Sequence, residues 1–574
     1  MRRLFVLALA ASAATLAAQP RQSPSSRPAP RFSPVEATIP EMQRAMQEHR
    51  VTSRDIVTEY LTRIAIYNRR INAAITINPR ALAEADARDA ERAQGRVRGP
   101  LHGIPIALKD NIHTVDMPTT GGALAFANFV PPYDATLTKN LRDAGAIIIA
   151  KTVLTELANW VSGAPTPMPG NYSAVGGFAF NPYDPRPDPR PANDDGRPVL
   201  STGGSSSGAG TAANLWAANA GSDTSGSIVN PAQLTMLVGI RPTTGRISRR
   251  GIIPITLDQD TSGPMAKSVA DAAVLLGALE SASPDPDDAA TSRCAPPAGR
   301  DYTAFLKRDG LKGARIGIPR AFYYDRLTPP TEKNPRGGLN EAQAALMADA
   351  IAIVKREGAI VVDPADLPSV VDTNPDKNVL LFDTCSGINN GKGKDANCSS
   401  VLKYGMKRDF NAYLASLGAS APVKSLTELR TFNLTHIRAG AIRYGQSNLD
   451  ISDELDVRQD RAKYEADRAK DIALAGEHGL GAALEAHKLD ALLFPGWNIS
   501  GLASRPGYPE IVVPLGMIPS GGGGQNPFPA GFTPQPAPYA AAFVGAACSE
   551  PRLIAIAYAF EQATKRRVAP SATP

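Results

Sequence analysis

The stretch that decides the fold runs from Ser201 to Gly245 and reads STGGSSSGAGTAANLWAANAGSDTSGSIVNPAQLTMLVGIRPTTG. A flexible linker rich in glycine and serine would be polar throughout. Here the glycine–serine turns alternate with apolar segments, such as residues 212–218 and 237–240. Glycine lets the backbone turn sharply and direct its N–H groups at a ligand. The composition therefore favours a loop that binds an oxyanion over a linker.

Two phosphate-binding motifs match this stretch poorly. A P-loop requires a lysine after its final glycine, and none follows here. The pattern Gly208-x-Gly210-x-x-Ala213 fits the dinucleotide fingerprint formally, but serines rather than a strand precede it, and the first acidic residue is Asp223. The sequence thus disfavours a nucleotide site.

A lysine upstream supplies a candidate base. A serine hydroxyl is a poor nucleophile unless a base removes its proton, and none of the six histidines lies in a recognisable nucleophile context. Lys109 ends the apolar run Ile104–Leu108. Burial among apolar groups lowers the pKa of a lysine and so allows the neutral form that a base requires. Taken alone, Lys109 would be interpreted as a surface residue at a strand end.

Together these segments resemble the amidase signature family of hydrolases. The resemblance covers most of the chain and is greatest to bacterial peptide amidases and aryl acylamidases. Five segments match in the family's order: GIPIALKDNI at 103–112, GGSSSG at 203–208, GSDTSGSI at 221–228, GIRPTTGRIS at 239–248 and DTSGPMA at 260–266.

The resemblance implies a role for each catalytic residue. Ser227 is the implied nucleophile and Lys109 the base. Ser205 is the implied bridging serine, which follows a non-proline cis peptide bond after Gly204 and passes the proton of Ser227 to Lys109. Such bonds are energetically costly and tend to mark active sites. The implied oxyanion hole consists of the backbone N–H groups of Thr224, Ser225, Gly226 and Ser227.

The sequence departs from the family pattern at two places. Ser205 lies 22 residues before Ser227, two fewer than the family's usual spacing, so Ser206 and Ser207 remain alternatives for the bridging serine. Residues 185–199 form a Pro/Asp-rich insertion just before the serine segment. We expect this insertion to border the entrance to the site.

Alternating strand and helix patterns predict an α/β fold. Short apolar runs that end at glycine or proline predict buried strands at 104–108, 146–150, 314–318, 359–362, 491–494 and 511–515, with helices between them, for example at 268–280 and 339–357. This alternation indicates a largely parallel sheet. The resemblance implies one large α/β domain over residues 35–570, with a mixed central sheet of about eleven strands flanked by helices.

The N-terminus has the pattern of an export signal. Two arginines, an apolar run and small residues make residues 1–18 a predicted signal peptide, and residues 19–34 a Pro/Ser-rich disordered leader. The apolar run is too short for a stable membrane anchor. We therefore expect a periplasmic or secreted protein.

Composition restricts the partners. Positive charge is spread along the chain without a dense Lys/Arg run, which disfavours nucleic acid. The sequence has no Cys-x-x-Cys pair and no histidine cluster, so it does not indicate a metal site. The family resemblance implies no cofactor. Cys385 and Cys398 are the best candidates for a disulfide. The expected partner is a small-molecule or peptide amide, bound by a monomer or homodimer.

The resemblance implies hydrolysis of carboxylic amide C–N bonds through an acyl-enzyme. One alternative is the glutaminase component of a transamidation complex, which the signal peptide disfavours because such a complex acts on a cytosolic tRNA. The other alternative is an exported, catalytically inactive binding protein, which the intact Lys109, Ser205 and Ser227 disfavour.

Overall fold

The computed structural model describes residues 32–205, 207–520 and 526–574. The predicted signal peptide and residues 19–31 of the predicted leader lie outside this range. Residues 33–574 form one compact unit. Within the described residues, no helix is long and apolar enough to cross a bilayer.

Eleven strands of the described chain form one central sheet. They are β1 (Ala74–Ile77), β2 (Pro105–Lys109), β3 (Ile147–Thr152), β4 (Ala218–Asp223), β5 (Val238–Arg241), β6 (Thr261–Ala266), β7 (Arg315–Gly317), β8 (Ile360–Val362), β9 (Ala491–Pro495), β10 (Glu510–Ile518) and β11 (Ala537–Val544). Their order across the sheet is β1-β3-β2-β4-β6-β5-β10-β11-β9-β7-β8. All six predicted strands are present, and the mixed eleven-stranded sheet is confirmed.

The prediction of a largely parallel sheet is wrong. Four neighbouring pairs are parallel, namely β3–β2, β2–β4, β9–β7 and β7–β8, and the other six are antiparallel. A parallel connection requires a crossover, usually through a helix. The connections β5–β6 and β10–β11 contain no helix among their described residues, and these strands pair as antiparallel neighbours.

Helices flank the sheet. They are α1 (Ile39–Gln47), α2 (Ser53–Ile71), α3 (Ala81–Ala93), α4 (Thr136–Asp143), α5 (Ser207–Ala212), α6 (Val229–Leu234), α7 (Val269–Leu279), α8 (Glu341–Arg356), α9 (Pro368–Val371), α10 (Val401–Ser416), α11 (Leu426–Thr435), α12 (Ser447–Asp453), α13 (Arg461–Ile472), α14 (Gly481–Ala486), α15 (Ser500–Ala503) and α16 (Glu550–Thr564). Local sequence explains the start of α2, where Thr52 and Asp55 form a capping box.

Two disulfides connect the loops. Cys385 pairs with Cys398, as predicted, and Cys294 pairs with Cys548, which was not predicted. The first disulfide lies where the two-residue strand Asp383–Thr384 pairs with Cys398–Ser399. It therefore fixes the segment just before α10.

Candidate active site

The pairing of β2 with β4 places Lys109 beside the carboxyl end of β4. These strands are parallel, with Leu108 opposite Ala220, so their carboxyl ends lie side by side. The Lys109 side chain is fully buried, and its Nζ donates to the carbonyl of Ser222 at 3.1 Å. Burial lowers its pKa to about 8, although the nearby carboxylates of Asp223 and Asp260 oppose this effect. About a tenth of Lys109 is then neutral at pH 7.

The residues after Lys109 fix this strand end. Asp110 forms a buried ion pair with Lys151 at 2.9 Å. Asn111 donates from Nδ2 to the hydroxyl of Ser222 at 2.9 Å. The two contacts hold β2 to β3 on one side and to β4 on the other, which limits the movement of Lys109.

The nucleophile segment is a tight turn organised by Asp223. The Asp223 carboxylate accepts hydrogen bonds from the N–H groups of Gly226 and Ile228, both at 2.7 Å, and from Nε of Arg241 at 3.2 Å. Gly226 has a φ of 127°, a conformation that favours glycine. The turn leaves Ser227 half-buried, two residues before α6 begins.

The same contacts reduce the number of N–H groups that are available to the predicted oxyanion hole. The N–H of Gly226 already donates to Asp223, so it is not available to a substrate oxygen. The N–H groups of Thr224, Ser225 and Ser227 have no acceptor among the described residues. The Thr224 hydroxyl also donates to Asp260 at 2.5 Å, which fixes the start of the turn.

The glycine–serine segment contacts Ser227 and lies next to the segment that accepts from Lys109. A Cβ atom on Gly204 would lie 2.5 Å from Oγ of Ser227, so a larger residue there would displace the Ser227 hydroxyl. The next residue, Ser205, is fully buried, and its Oγ has no hydrogen-bond partner among the described residues. That Oγ lies 3.3 Å from the position that a Cβ atom on Gly221 would occupy. Gly221 precedes Ser222, whose carbonyl accepts the hydrogen bond from Lys109. The structure thus gathers Lys109, Ser205 and Ser227 in one region.

The predicted cis peptide bond after Gly204 is wrong for this structure. The cis bonds of the described chain precede Pro165 and Pro364. For a non-proline residue the trans form is lower in free energy by about 3 kcal/mol. Ser206 lies outside the described residues and the side chain of Ser207 is not described, so the identity of the bridging serine stays a prediction.

Ser227 opens into a cavity of about 550 Å³. Its apolar walls include Trp160, Met168, Leu402 and Trp497. None of the described residues that line it carries a formal charge at neutral pH. A neutral ligand therefore suits this cavity better than a charged one, since a buried charge requires a partner.

The insertion at 185–199 does not line this cavity, contrary to our expectation that it borders the entrance. Instead, Asp195 accepts a hydrogen bond from the Tyr444 hydroxyl at 2.6 Å. The carbonyl of Tyr444 accepts in turn from the hydroxyl of Ser162, a lining residue, at 2.8 Å. The insertion thus supports one wall from behind.

One cavity wall has a strained backbone. Leu157, Ala158 and Asn159 have φ values of 44°, 56° and 77°, and Ala158 and Asn159 line the cavity. Left-handed conformations at such residues cost about 1–3 kcal/mol each and cluster at functional sites. Sequence reasoning missed this wall, because no glycine marks the turn.

Asp223 and Arg241 were also missed, although they are the only ionisable side chains between Ser201 and Gly245. Their isolation in an uncharged stretch was the available signal. Within the described residues, no group of His, Cys, Asp or Glu side chains is arranged to hold a metal ion.

Comparison with known proteins agrees with this geometry. A family model described as Amidase matches residues 55–375. A probable amidase of Arabidopsis thaliana is 34% identical over 550 residues, covering 94% of this chain and 92% of that protein. The native peptide amidase from Stenotrophomonas maltophilia superposes with a TM-score of 0.77 and 36% identity, over 94% of this chain and 99% of that one.

A second set of relatives matches a shorter region. A glutamyl-tRNA(Gln) amidotransferase component from Marinobacter nauticus is 37% identical over 305 residues, which is 53% of this chain and 58% of that protein.

An amidase family protein from Bacillus anthracis superposes with a TM-score of 0.76 and 30% identity, over 94% of this chain and 93% of that one. The full-length similarity is therefore to amidases.

Proposed function

The chain belongs to the amidase signature family of hydrolases, and we propose that it cleaves carboxylic amides through an acyl-enzyme formed on Ser227. The observation that carries this proposal is a buried lysine of lowered pKa that donates to Ser222, within the same segment as Ser227, which faces a neutral cavity. Lys109 is the proposed base because it donates to Ser222, five residues before Ser227, and no histidine is among the described residues that line the cavity.

In the proposed first step, Oγ of Ser227 attacks the amide carbonyl carbon. Its proton moves to Ser205, and the Ser205 proton moves to neutral Lys109. The carbonyl oxygen becomes an oxyanion, which the N–H groups of Thr224, Ser225 and Ser227 stabilise. The Oγ of Ser205, unpartnered among the described residues, supports this relay, since a buried hydroxyl ordinarily has a hydrogen-bond partner.

In the second step the C–N bond breaks and the proton returns from Lys109 through Ser205 to the leaving nitrogen. The products are a free amine or ammonia and an ester of the acyl group with Ser227. Water then attacks this ester and gives its proton through Ser205 to Lys109. The ester C–O bond breaks, the proton returns to Oγ of Ser227, and the acid is released. Lys109 is neutral at the start and at the end of the cycle.

The cavity favours a neutral amide with an apolar acyl group. Trp160, Met168 and Trp497 supply apolar surface, and no described lining residue offers a counter-charge. Free glutamine carries an ammonium and a carboxylate, which would lose solvation without gaining partners. This disfavours the glutaminase alternative, and the similarity to a peptide amidase supports peptide-like amides.

The low pKa of Lys109 and the open Ser227 also disfavour an inactive binding protein. A structural lysine would be expected to have a carboxylate partner. Lys109 instead donates to the carbonyl of Ser222, and no ion pair of the described residues includes it.

Replacement of the nucleophile tests the mechanism. Ser227→Ala should abolish amide hydrolysis while the protein keeps its fold, and a serine-directed phosphonate should label Ser227 in the unmodified enzyme. Ser416→Ala, which removes a hydroxyl that donates to the carbonyl of Tyr413, is the control and should be labelled and active. Hydrolysis by Ser227→Ala at the unmodified rate would refute the assignment.

Export is the second part of the proposal. Residues 1–18 have the pattern of a signal peptide, and all four cysteines are paired. Disulfides persist in oxidising compartments, so both features support a periplasmic or secreted protein. N-terminal sequencing of exported material should give a start near Ala18 or Gln19, and an intact Met1 in a cytosolic fraction would contradict export.

A further inference from the structure

One wall of the cavity contains a buried amide group with unused donors. Asn448, on α12, lines the cavity and is 3% exposed. Its Oδ1 accepts from the N–H of Gly387 at 2.8 Å and from the hydroxyl of Ser386 at 3.0 Å. Its Nδ2 has no acceptor among the described residues. Because Nδ2, unlike Oγ of Ser205, is not fully buried, its N–H groups are open to the cavity and to a ligand bound there.

The orientation of this amide is fixed by its neighbours. A backbone N–H can only donate, so the atom that faces Gly387 must be the oxygen. The backbone N–H of Asn448 donates to the carbonyl of Val161 at 3.1 Å, which holds α12 against the cavity wall. A Cβ on Gly163 would lie 2.7 Å from Oδ1, so that side of the amide is closely packed. The Nδ2 group is therefore left to the cavity side.

The chemistry of the cavity selects the acceptor. Two N–H donors require an oxygen, which a carbonyl or a carboxylate could supply. A carboxylate would bring a charge into a cavity whose described lining offers none in return. A neutral carbonyl therefore suits this donor better than a carboxylate. It is not the carbonyl under attack, because the oxygen of that group lies at the N–H groups of the turn 224–227.

We propose that Asn448 is a specificity-determining residue that donates from Nδ2 to a second carbonyl oxygen in the acyl part of the substrate. This inference rests on the proposed function, since it concerns the acyl group held while Ser227 is acylated. Acyl groups with an N-acylamino substituent carry such a carbonyl, and simple alkyl or arylalkyl amides do not. The enzyme should thus prefer N-acylaminoacyl amides over otherwise matched amides.

A pair of substrates isolates this contact. N-acetylphenylalaninamide and 3-phenylpropanamide share the phenyl group and the primary amide, and they differ in the acetamido group. Asn448→Asp keeps an oxygen for Gly387 and Ser386 but removes both donors when ionised. We expect this variant to lose about tenfold in kcat/KM for the acetylated substrate, mainly through KM, and to change little for 3-phenylpropanamide.

Two further variants test whether the loss in Asn448→Asp comes from the missing donors or from the introduced charge. Asn448→Ala removes the donors without adding a charge and should give the same loss of preference. Asn378→Asp makes the identical exchange at a buried asparagine outside the cavity lining, whose Nδ2 donates to the carbonyls of Val370 and Asp372. That control should keep the unmodified ratio of kcat/KM between the two substrates.

Binding gives a readout that does not depend on turnover. Calorimetric titration of both amides onto Ser227→Ala, with and without Asn448→Asp, should show weaker binding of the acetylated amide alone. An unchanged ratio of dissociation constants between the two amides would overturn the role of Asn448. Failure of Ser227 to react with the phosphonate would overturn the catalytic proposal instead, so the two failures are distinguishable.

Discussion

Lys109 and Lys151 lie near the carboxyl ends of two adjacent parallel strands, β2 and β3, and both are fully buried. Burial lowers the pKa of each. They differ in their partners. Lys151 contacts the carboxylate of Asp110 at 2.9 Å and the hydroxyl of Thr119 at 2.7 Å. Lys109 donates to a neutral acceptor, the carbonyl of Ser222.

This difference indicates why Lys109, rather than Lys151, is the proposed base. An adjacent carboxylate favours the charged form of lysine and makes it a structural ion pair. The carboxylates of Asp223 and Asp260 act on the pKa of Lys109 only through space. The Asp223 carboxylate is hydrogen-bonded instead to the backbone of the nucleophile turn and to Arg241. The sheet thus places a structural lysine and a candidate catalytic lysine on neighbouring strands.

The largest expected effect is the loss of catalysis when Lys109 is replaced. Lys109→Ala should lower kcat by about 10²- to 10⁴-fold, because it removes the general base. Lys109→Arg should not restore activity, since a guanidinium stays protonated. Steady-state kinetics on a neutral primary amide would measure both. Activity retained in Lys109→Ala but lost on changing His102 or His113 would replace this mechanism with a histidine-dependent one.

Replacement of Lys151 should act on stability instead. Lys151→Ala leaves the Asp110 carboxylate buried without its partner, which should lower the free energy of unfolding by about 3–5 kcal/mol. The double variant Lys151→Met with Asp110→Asn removes both charges and should recover much of that loss. Urea denaturation followed by circular dichroism would measure it. A change below about 1 kcal/mol in Lys151→Ala would mean that this ion pair is not structural.

The pH dependence of the rate should carry the signature of Lys109. The base must be neutral, and its pKa is about 8. The rate should therefore rise with pH, by about tenfold from pH 6 to pH 7, and level off above pH 8. A profile of kcat/KM between about pH 5.5 and 9.5 would show this limb, and a rate that is flat over pH 6–8 would exclude Lys109 as the base.

Stability gives an independent check of the same pKa. The folded pKa of about 8 is below the ordinary value of 10.5, so between these values the folded protein holds fewer protons on Lys109 than the unfolded chain does. The cost of burying the charge is full below pH 8 and is relieved as the pH rises to about 10.5. Lys109→Met should therefore be more stable than the unmodified protein at pH 7, and this gain should shrink above pH 8. Urea denaturation at several pH values would measure it, and a gain that does not change with pH would contradict the lowered pKa.

Much of the site was predictable because its parts are local. The segment ending at Lys109 and the turn that holds Ser227 each form a short motif, and parallel strands bring their carboxyl ends to the same edge. The rest depends on packing between distant segments. Asn448 and the Cys294–Cys548 disulfide have no local spacing that indicates a partner. The strand directions were misjudged because loops, rather than helices, join the described residues of β5 to β6 and of β10 to β11.

The smallest expected effect sharpens the comparison by changing the charge that acts on Lys109 through space. Asp260 is buried, its own pKa is raised to about 7 by burial, and its charge raises the pKa of Lys109. Asp260→Asn should therefore move the rising limb of the rate profile to lower pH by a fraction of a pH unit. Asp271→Asn removes another buried carboxylate that does not influence Lys109, and its limb should stay in place. Because both variants lose one buried carboxylate, a shared shift would reflect general destabilisation. A shift in Asp260→Asn alone would show that Lys109 is tuned by through-space charge, whereas Lys151 is held by direct contact.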